Sequence, residues 1–387
     1  MTEDGAAGRG SRLRTLSRSL VLTELATAGP LSQADLVRRT DLSRATVASI
    51  VSDLRGEGRI TTRRAEVAAG RGRPPALLAL AAGSRVVVGV DFGHSHLAVA
   101  IADLSGTLLA ERRVPMAVHD SAPDALDRAA EMIDALLADV GSAAPPTAVV
   151  LGVPGPVDRR TGLLRSGTVL PGWEGLNPAA ELAARTGLPV TAENDANLGA
   201  VGEHRFGAGR DVDDLMYVKV ASGIGAGMVL GGRLYRGSRG TAGEIGHVQV
   251  REDGALCRCG SRGCLETVSS AEAALALLAP AHGHSMTVDD LIALAERGDP
   301  GTLRLLSDMG TAIGRVVAEL AANLDPGLVI VGGGVATQTL VEGVSAAVHR
   351  YTQPYVSAEL TVVEGALGVR AGLLGAVALA VQQAARD

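Results

Sequence analysis

Twice in this chain a run of strand-forming residues breaks at a glycine-bearing turn and resumes as a second strand. The first hairpin is Val86 to Ile101, turning at Asp91-Phe92-Gly93-His94-Ser95; the second is Leu215 to Leu230, turning at Ala221-Ser222-Gly223-Ile224-Gly225. A third strand-prone stretch follows each, Leu108 to Val114 and Gly231 to Tyr235. A helix over 122–140, a strand over 147–152 and a buried apolar strand at Val329-Ile330-Val331 fill in an α/β pattern. Two halves that open with the same hairpin imply a duplicated α/β fold, two lobes with a cleft between them. The expected lobes are residues 84–203, completed by a C-terminal helix over 372–386, and residues 204–371.

The turns carry chemistry as well as shape. Asp91 ends a strand before a glycine turn, where a carboxylate can hold a magnesium water. The exposed amides around Gly93 and the Ser95 hydroxyl suit phosphate oxygens. Ser222, Gly223 and Gly225 offer the same from the other half, and Gly333 lies in a three-glycine end to the strand at 329–331. The alternative for each loop alone is a plain tight turn. Glu193-Asn194-Asp195-Ala196-Asn197 opens a helix. There Asn194 and Asp195 either cap that helix or, in a cleft, bind sugar hydroxyls, with Asp195 placed as a general base.

The three cysteines lie within eight residues, Cys257-Arg258-Cys259-Gly260-Ser261-Arg262-Gly263-Cys264, ten residues after His247. Three thiolates and an imidazole make a closed tetrahedral zinc set, hence a structural zinc rather than a catalytic one. Buried free thiols are the plainer alternative, but such cysteines are normally scattered. A disulfide fits poorly with an odd count. Glu244, His247 and Glu266 flank this loop, and carboxylates with an imidazole suit recognition of a polyol.

The first eighty residues differ from the rest. They hold thirteen arginines against eight acids, a charge of +5, in a chain whose total is −6. A basic head on an acidic body points to a polyanion. Residues 1–10 are small and polar and are expected to lack structure. A helix is expected from Arg12 to Ala28, another after Ser32, and a third capped by Ser43 and running to about Glu57. Val47, Ile50, Val51 and Leu54 fall at core spacing on that third helix. Arg44, Ala45, Ala48, Ser49 and Ser52 form the small opposite face that a major groove accepts. Ile60–Arg64 and Ala76–Leu80 read as strands around Gly70-Arg71-Gly72-Arg73-Pro74. The whole, residues 11–80, reads as a winged helix-turn-helix. Ser43, Arg44 and Ser49 are its candidate groove contacts, and Arg71 and Arg73 suit a narrow minor groove. The alternative is a plain helix pair followed by a linker.

These motifs together resemble the ROK family of repressors, open reading frames and kinases. The resemblance rests on Glu244-x-Gly-His247, Cys257-x-Cys259-Gly-x-x-Gly-Cys264-x-Glu266, Val153-Pro154-Gly155-Pro156, Leu170-Pro-Gly-Trp173 and Glu193 to Asn197, in that family's order. It implies an actin-like, hexokinase-like fold built of two ribonuclease H-like lobes, with the zinc loop and a dimerisation surface in the second. It also implies sugar contacts from Asn194, Asp195, Glu244, His247 and Glu266, and zinc held by His247, Cys257, Cys259 and Cys264. The N-terminal head points to the repressor branch: a homodimer or homotetramer that binds double-stranded operator DNA and responds to a sugar or sugar phosphate. The alternative is an ATP-dependent sugar kinase that also binds DNA. His94 stands where the kinases have a glycine, and Ala221-Ser222-Gly223 replaces their Gly-Thr-Gly, so ATP and magnesium are not expected. Thr168 stands where an asparagine often contacts sugar. No apolar run reaches membrane-spanning length and no apolar leader precedes the head, so a cytoplasmic protein is expected.

Overall fold

The computed structural model describes residues 4–64, 76–81, 85–142, 144–165 and 170–385. It opens with α1 (Asp4–Ala28), α2 (Gln33–Thr40) and α3 (Arg44–Gly56), then strands β1 (Ile60–Arg64) and β2 (Ala76–Leu80), paired antiparallel from Ile60↔Leu80 to Arg64↔Ala76. Ser32 starts α2 with a reciprocal cap: its hydroxyl accepts from the Asp35 amide while Asp35 accepts from the Ser32 amide. Ser43 caps α3 by accepting from the Thr46 amide at 3.1 Å. Between them Asp41 takes a left-handed φ of 54°, which turns the chain sharply enough to set the helices at an angle. α1 begins at Asp4, earlier than expected and within the stretch read as unstructured. Ala6, Ala7 and Arg9 are good helix formers, and extending an existing helix costs little.

The body repeats one topology. The first sheet contains β3 (Val86–Phe92), β4 (His96–Asp103), β5 (Leu108–Pro115), β6 (Ala148–Val153) and β7 (Val190–Asn194) in the order β5-β4-β3-β6-β7. α4 (Ala122–Asp139) and α5 (Pro178–Thr186) connect these strands, and α6 (Asp195–Phe206) follows them. The second sheet has β8 (Leu215–Val220), β9 (Ile224–Leu230) and β10 (Arg233–Tyr235). After helices α7 (Glu266–Ser269), α8 (Ala271–His282), α9 (Val288–Glu296) and α10 (Pro300–Leu324) come β11 (Leu328–Gly332), α11 (Gln338–Tyr351), α12 (Pro354–Glu359), β12 (Thr361–Glu364) and α13 (Ala371–Ala384). Its order, β10-β9-β8-β11-β12, matches the first sheet strand for strand.

The closing helices are exchanged. α6 follows the first sheet in sequence yet packs on β8 and β9, whereas α13 follows the second sheet yet packs on β3, β4 and β6. Glycines make this contact possible. A Cβ on Gly375 would collide with the Leu198 carbonyl, and one on Gly227 with the Ala196 carbonyl. The lobes are therefore pinned along α6 and α13, and a cleft opens at the carboxyl ends of their parallel strands. The apolar cluster of the head (Val21, Leu22, Leu25, Leu36, Val47, Leu54) is continuous with that beneath the first sheet. Among the described residues no helix is long and apolar enough to cross a membrane.

Candidate functional site

The cleft between the lobes is a cavity of about 470 Å³. Asp91, Gly93, Ser95, Asn194, Asp195, Ser222, Gly223, Gly225, Glu244, His247, Glu266 and Gly333 all line it. Residues singled out from loops more than two hundred positions apart thus converge on one space. The convergence follows from topology: β3 ends at Phe92, β7 at Asn194, β8 at Val220 and β11 at Gly332, and all four ends face the cleft.

Asn194 acts as the helix cap, its Oδ1 accepting from the Ala196 amide at 2.9 Å and the Asn197 amide at 3.0 Å. Its Nδ2 donates to the Gly155 carbonyl at 3.1 Å, tying α6 to the Pro154-Gly155 turn. Glu193 accepts from Asn197 at 2.9 Å and pairs with Arg236 of the second lobe at 2.5 Å. Asp195 begins α6, and its Oδ2 accepts from Lys219 Nζ at 2.7 Å. Glu244 sits close by. Burial, with the charges of Asp195 and Glu266 added, pushes its carboxyl up to about 7. Near neutrality it can therefore either donate to or accept from a hydroxyl.

His247, Cys257, Cys259 and Cys264 form one cluster, their ligand atoms all within 4.8 Å of one another. Cys259 Sγ lies 3.7 Å from Cys264 Sγ, and Cys257 Sγ lies 3.5 Å from His247 Nδ1. Sulfurs bound tetrahedrally at about 2.3 Å from zinc sit about 3.8 Å apart, so the four side chains fit such an ion. With Nδ1 turned to the cysteines, Nε2 of His247 faces Glu244, 3.9 Å away. Glu266, two residues after Cys264, is the first residue of α7. Arg258, between two of the cysteines, forms an ion pair with it at 3.0 Å, and the Ile224 amide donates to it at 3.3 Å.

The first turn differs from its sequence reading. His94 stacks on His119, ring centroids 4.0 Å apart and planes 6° from parallel. The ring that covers Gly93 is His96: a Cβ on Gly93 would collide with that imidazole. His96 Nε2 also lies 3.1 Å from Asp91 Oδ2. Sequence reasoning passed over His96, Lys219, Arg236 and Arg258. A signal existed for Lys219, the only lysine in a chain with 36 basic residues.

In the head, Ser43, Arg44, Ala45, Ala48, Ser49 and Ser52 are exposed, while Val47, Ile50, Val51 and Leu54 are buried. Arg14 bonds Asp53 at 2.5 Å and Arg18 pairs with Glu57, fixing α3 against α1. Arg71, Arg73 and Thr168 lie outside the described residues.

Comparison with known proteins places these features together. Residues 87–383 match the ROK family. A putative xylose repressor of Caldicellulosiruptor sp. (strain Rt8B.4) is 29% identical over 84% of each chain. A glucokinase of Thermotoga maritima is 34% identical over 76% of this chain and 96% of its own. The crystal structure of a ROK family transcriptional regulator, a homolog of the Escherichia coli MLC protein, superposes with a TM-score of 0.76 at 26% identity, covering 97% of both chains. With its two-lobed α/β body, this chain belongs to the ROK family.

Proposed function

We propose that this protein is a sugar-responsive, DNA-binding transcriptional regulator, a repressor of carbohydrate uptake or catabolism genes. One observation carries the reading: the head and the cleft occur in one chain. The regulator structure aligns with 97% of it, whereas the glucokinase aligns with 76% of it yet 96% of itself. The part without a counterpart in that kinase is the size of the head.

In this reading residues 11–80 are a winged helix-turn-helix. α3 enters the major groove with Ser43, Arg44 and Ser49 against the DNA, since its outward face is small and exposed. Arg71 and Arg73, which fall between β1 and β2 in sequence, reach the minor groove. A sugar occupies the cleft with its hydroxyls on Asn194, Asp195, Glu244, Glu266 and His247 Nε2. His247 Nδ1 and the three thiolates hold a structural zinc, which supplies a rigid anchor for Glu266. Sugar binding favours one lobe arrangement and so changes the spacing of two heads in a homodimer or homotetramer. The nucleotide side of the cleft (Asp91, Gly93, Ser95, Ser222, Gly223, Gly225, Gly333) is read as a remnant without turnover.

The test pairs two measurements on the full chain. A duplex selected from a random pool is titrated by fluorescence anisotropy across salt concentrations, then again with each of a panel of pentoses, hexoses and amino sugars. Arg71→Ala with Arg73→Ala should weaken binding and lower the salt slope by roughly 2. At least one sugar should raise the melting temperature and weaken DNA binding. Unchanged affinity and slope in the double variant, or no response to any sugar, would overturn the reading.

A further inference from the structure

The two sheets share a register as well as an order. In the first, Asp91 pairs with Gly152 of β6, one position before the last pair of the hairpin, Phe92↔Leu97. In the second, Lys219 pairs with Gly332 of β11, one position before the last hairpin pair, Val220↔Ile224. Lys219 is thus the counterpart of Asp91 in the other lobe. The duplication sets an ammonium group and a carboxylate on opposite walls of one cleft.

Both are withdrawn from water. The Asp91 side chain is 4% exposed and that of Lys219 is 20% exposed. Lys219 Nζ lies 2.7 Å from Asp195 Oδ2. Burial works against charge on both, yet Asp195 and Asp91 hold the Lys219 ammonium above its usual range. His96 and Lys219 hold Asp91 below its own. Asp91 Oδ1 is buried with no donor among the described residues, facing Gly372 at the start of α13.

A phosphotransfer cleft of this fold needs a divalent ion near these carboxylates and close backbone approach to phosphate at the first turn. Neither requirement fits here. An ammonium already neutralises Asp195, and a second cation beside it meets like charge. The imidazole of His96 covers the backbone at Gly93 that a phosphate would approach.

We propose that Lys219, paired with Asp195 and set across the cleft from Asp91, stands in place of a divalent metal, so that the site binds a neutral sugar without metal or nucleotide. Lys219 is a positioning residue. It fixes the orientation of Asp195 through Oδ2, leaving Oδ1 to accept a sugar hydroxyl. A phosphorylated sugar is disfavoured, because the ammonium is already paired, Asp91, Asp195 and Glu244 line the same space, and the Arg113 guanidinium on that lining already donates to the Val369 carbonyl. The proposal rests on the reading of the cleft as a sugar receptor.

A single lysine makes the test direct. Protein grown with ¹³C-lysine gives one Lys219 side-chain signal, which the bound sugar should shift and millimolar magnesium, with or without AMP-PNP, should leave in place. Calorimetry with the sugar that scores in the panel should give the same Kd in magnesium-free buffer and in magnesium, within about twofold. The phosphate ester of its terminal carbon should bind roughly tenfold more weakly or worse. Lys219→Thr should weaken sugar binding roughly tenfold and admit magnesium with AMP-PNP; Lys219→Arg should keep the wild-type pattern. Wild-type protein that binds magnesium with AMP-PNP, needs magnesium for the sugar, or prefers the phosphate overturns the proposal. The wild-type arms decide the matter even where a variant fails to fold. Silence toward every sugar would instead sink the sugar reading beneath it.

Discussion

Asn194 gives its carbonyl oxygen to the first turn of α6 and one amide hydrogen to Gly155, which leaves a second amide hydrogen without an acceptor among the described residues. Capping and sugar contact are therefore compatible uses of one side chain. His247 has the same double character, with Nδ1 toward the cysteines and Nε2 toward Glu244. The thiols need a counter-charge to act together. Burial, with Cys259 and Cys257 alongside, pushes the Cys264 thiol up to about 12, so without a cation it stays protonated. A metal reverses that balance. Cys259→Ser is expected to reduce zinc from one equivalent per chain to near none by mass-spectrometric metal analysis. It should also weaken sugar affinity about tenfold or more, because Arg258 and Glu266 lose their anchored loop. Full zinc content in the variant would rule out the four-ligand assignment.

The crossing of α6 and α13 is the most demanding contact between elements. Gly375 lies against the Leu198 carbonyl and Gly202 against the Ala371 carbonyl, backbone on backbone. Neither neighbour can swing aside as a flexible side chain would. Gly375→Ala is expected to destabilise the protein by about 1–3 kcal/mol, the usual range for overpacking. Gly56→Ala makes the control. It ends α3 with nothing within 4 Å of the added carbon and no positive φ, so stability should hold or rise by up to about 1 kcal/mol. Urea unfolding of both variants checks this. Equal midpoints would mean that the helices can part without cost and that the lobes are not pinned there.

Among the described residues head and body meet through few polar contacts, and two of them lead toward the cleft. Arg39 of α2 bonds Glu24 of α1 at 2.9 Å and Asp213, just before β8, at 3.3 Å. Arg205 donates to the Ala26 carbonyl at 3.2 Å from the far end of α6, the helix that Asp195 begins. Cleft and head thus share a single rigid rod. The Arg39–Asp213 pair is largely exposed and adds less than about 1 kcal/mol to stability. Asp213→Asn is expected to leave the melting temperature nearly unchanged while reducing the ratio of DNA Kd values with and without sugar. A ratio identical to wild type would place the coupling elsewhere, along α13 or the apolar junction.

Most strands of both sheets, the repeat of the hairpin and the His/Cys cluster were readable in order along the chain, because they depend on local periodicity and on successive candidate ligands ten or fewer residues apart. The exposed face of α3 was legible for the same reason: its core spacing leaves the other face no choice. The occupant of the nucleotide side was not. His94 drew notice because it breaks a glycine pattern, yet folding sends it to His119 and brings His96 over Gly93. Lys219 is 24 positions from Asp195 and 128 from Asp91, and nothing local ties them. Their meeting depends on two sheets of equal register facing each other across α6 and α13. Charge pairing between lobes is a property of that packing, and no run of sequence contains it.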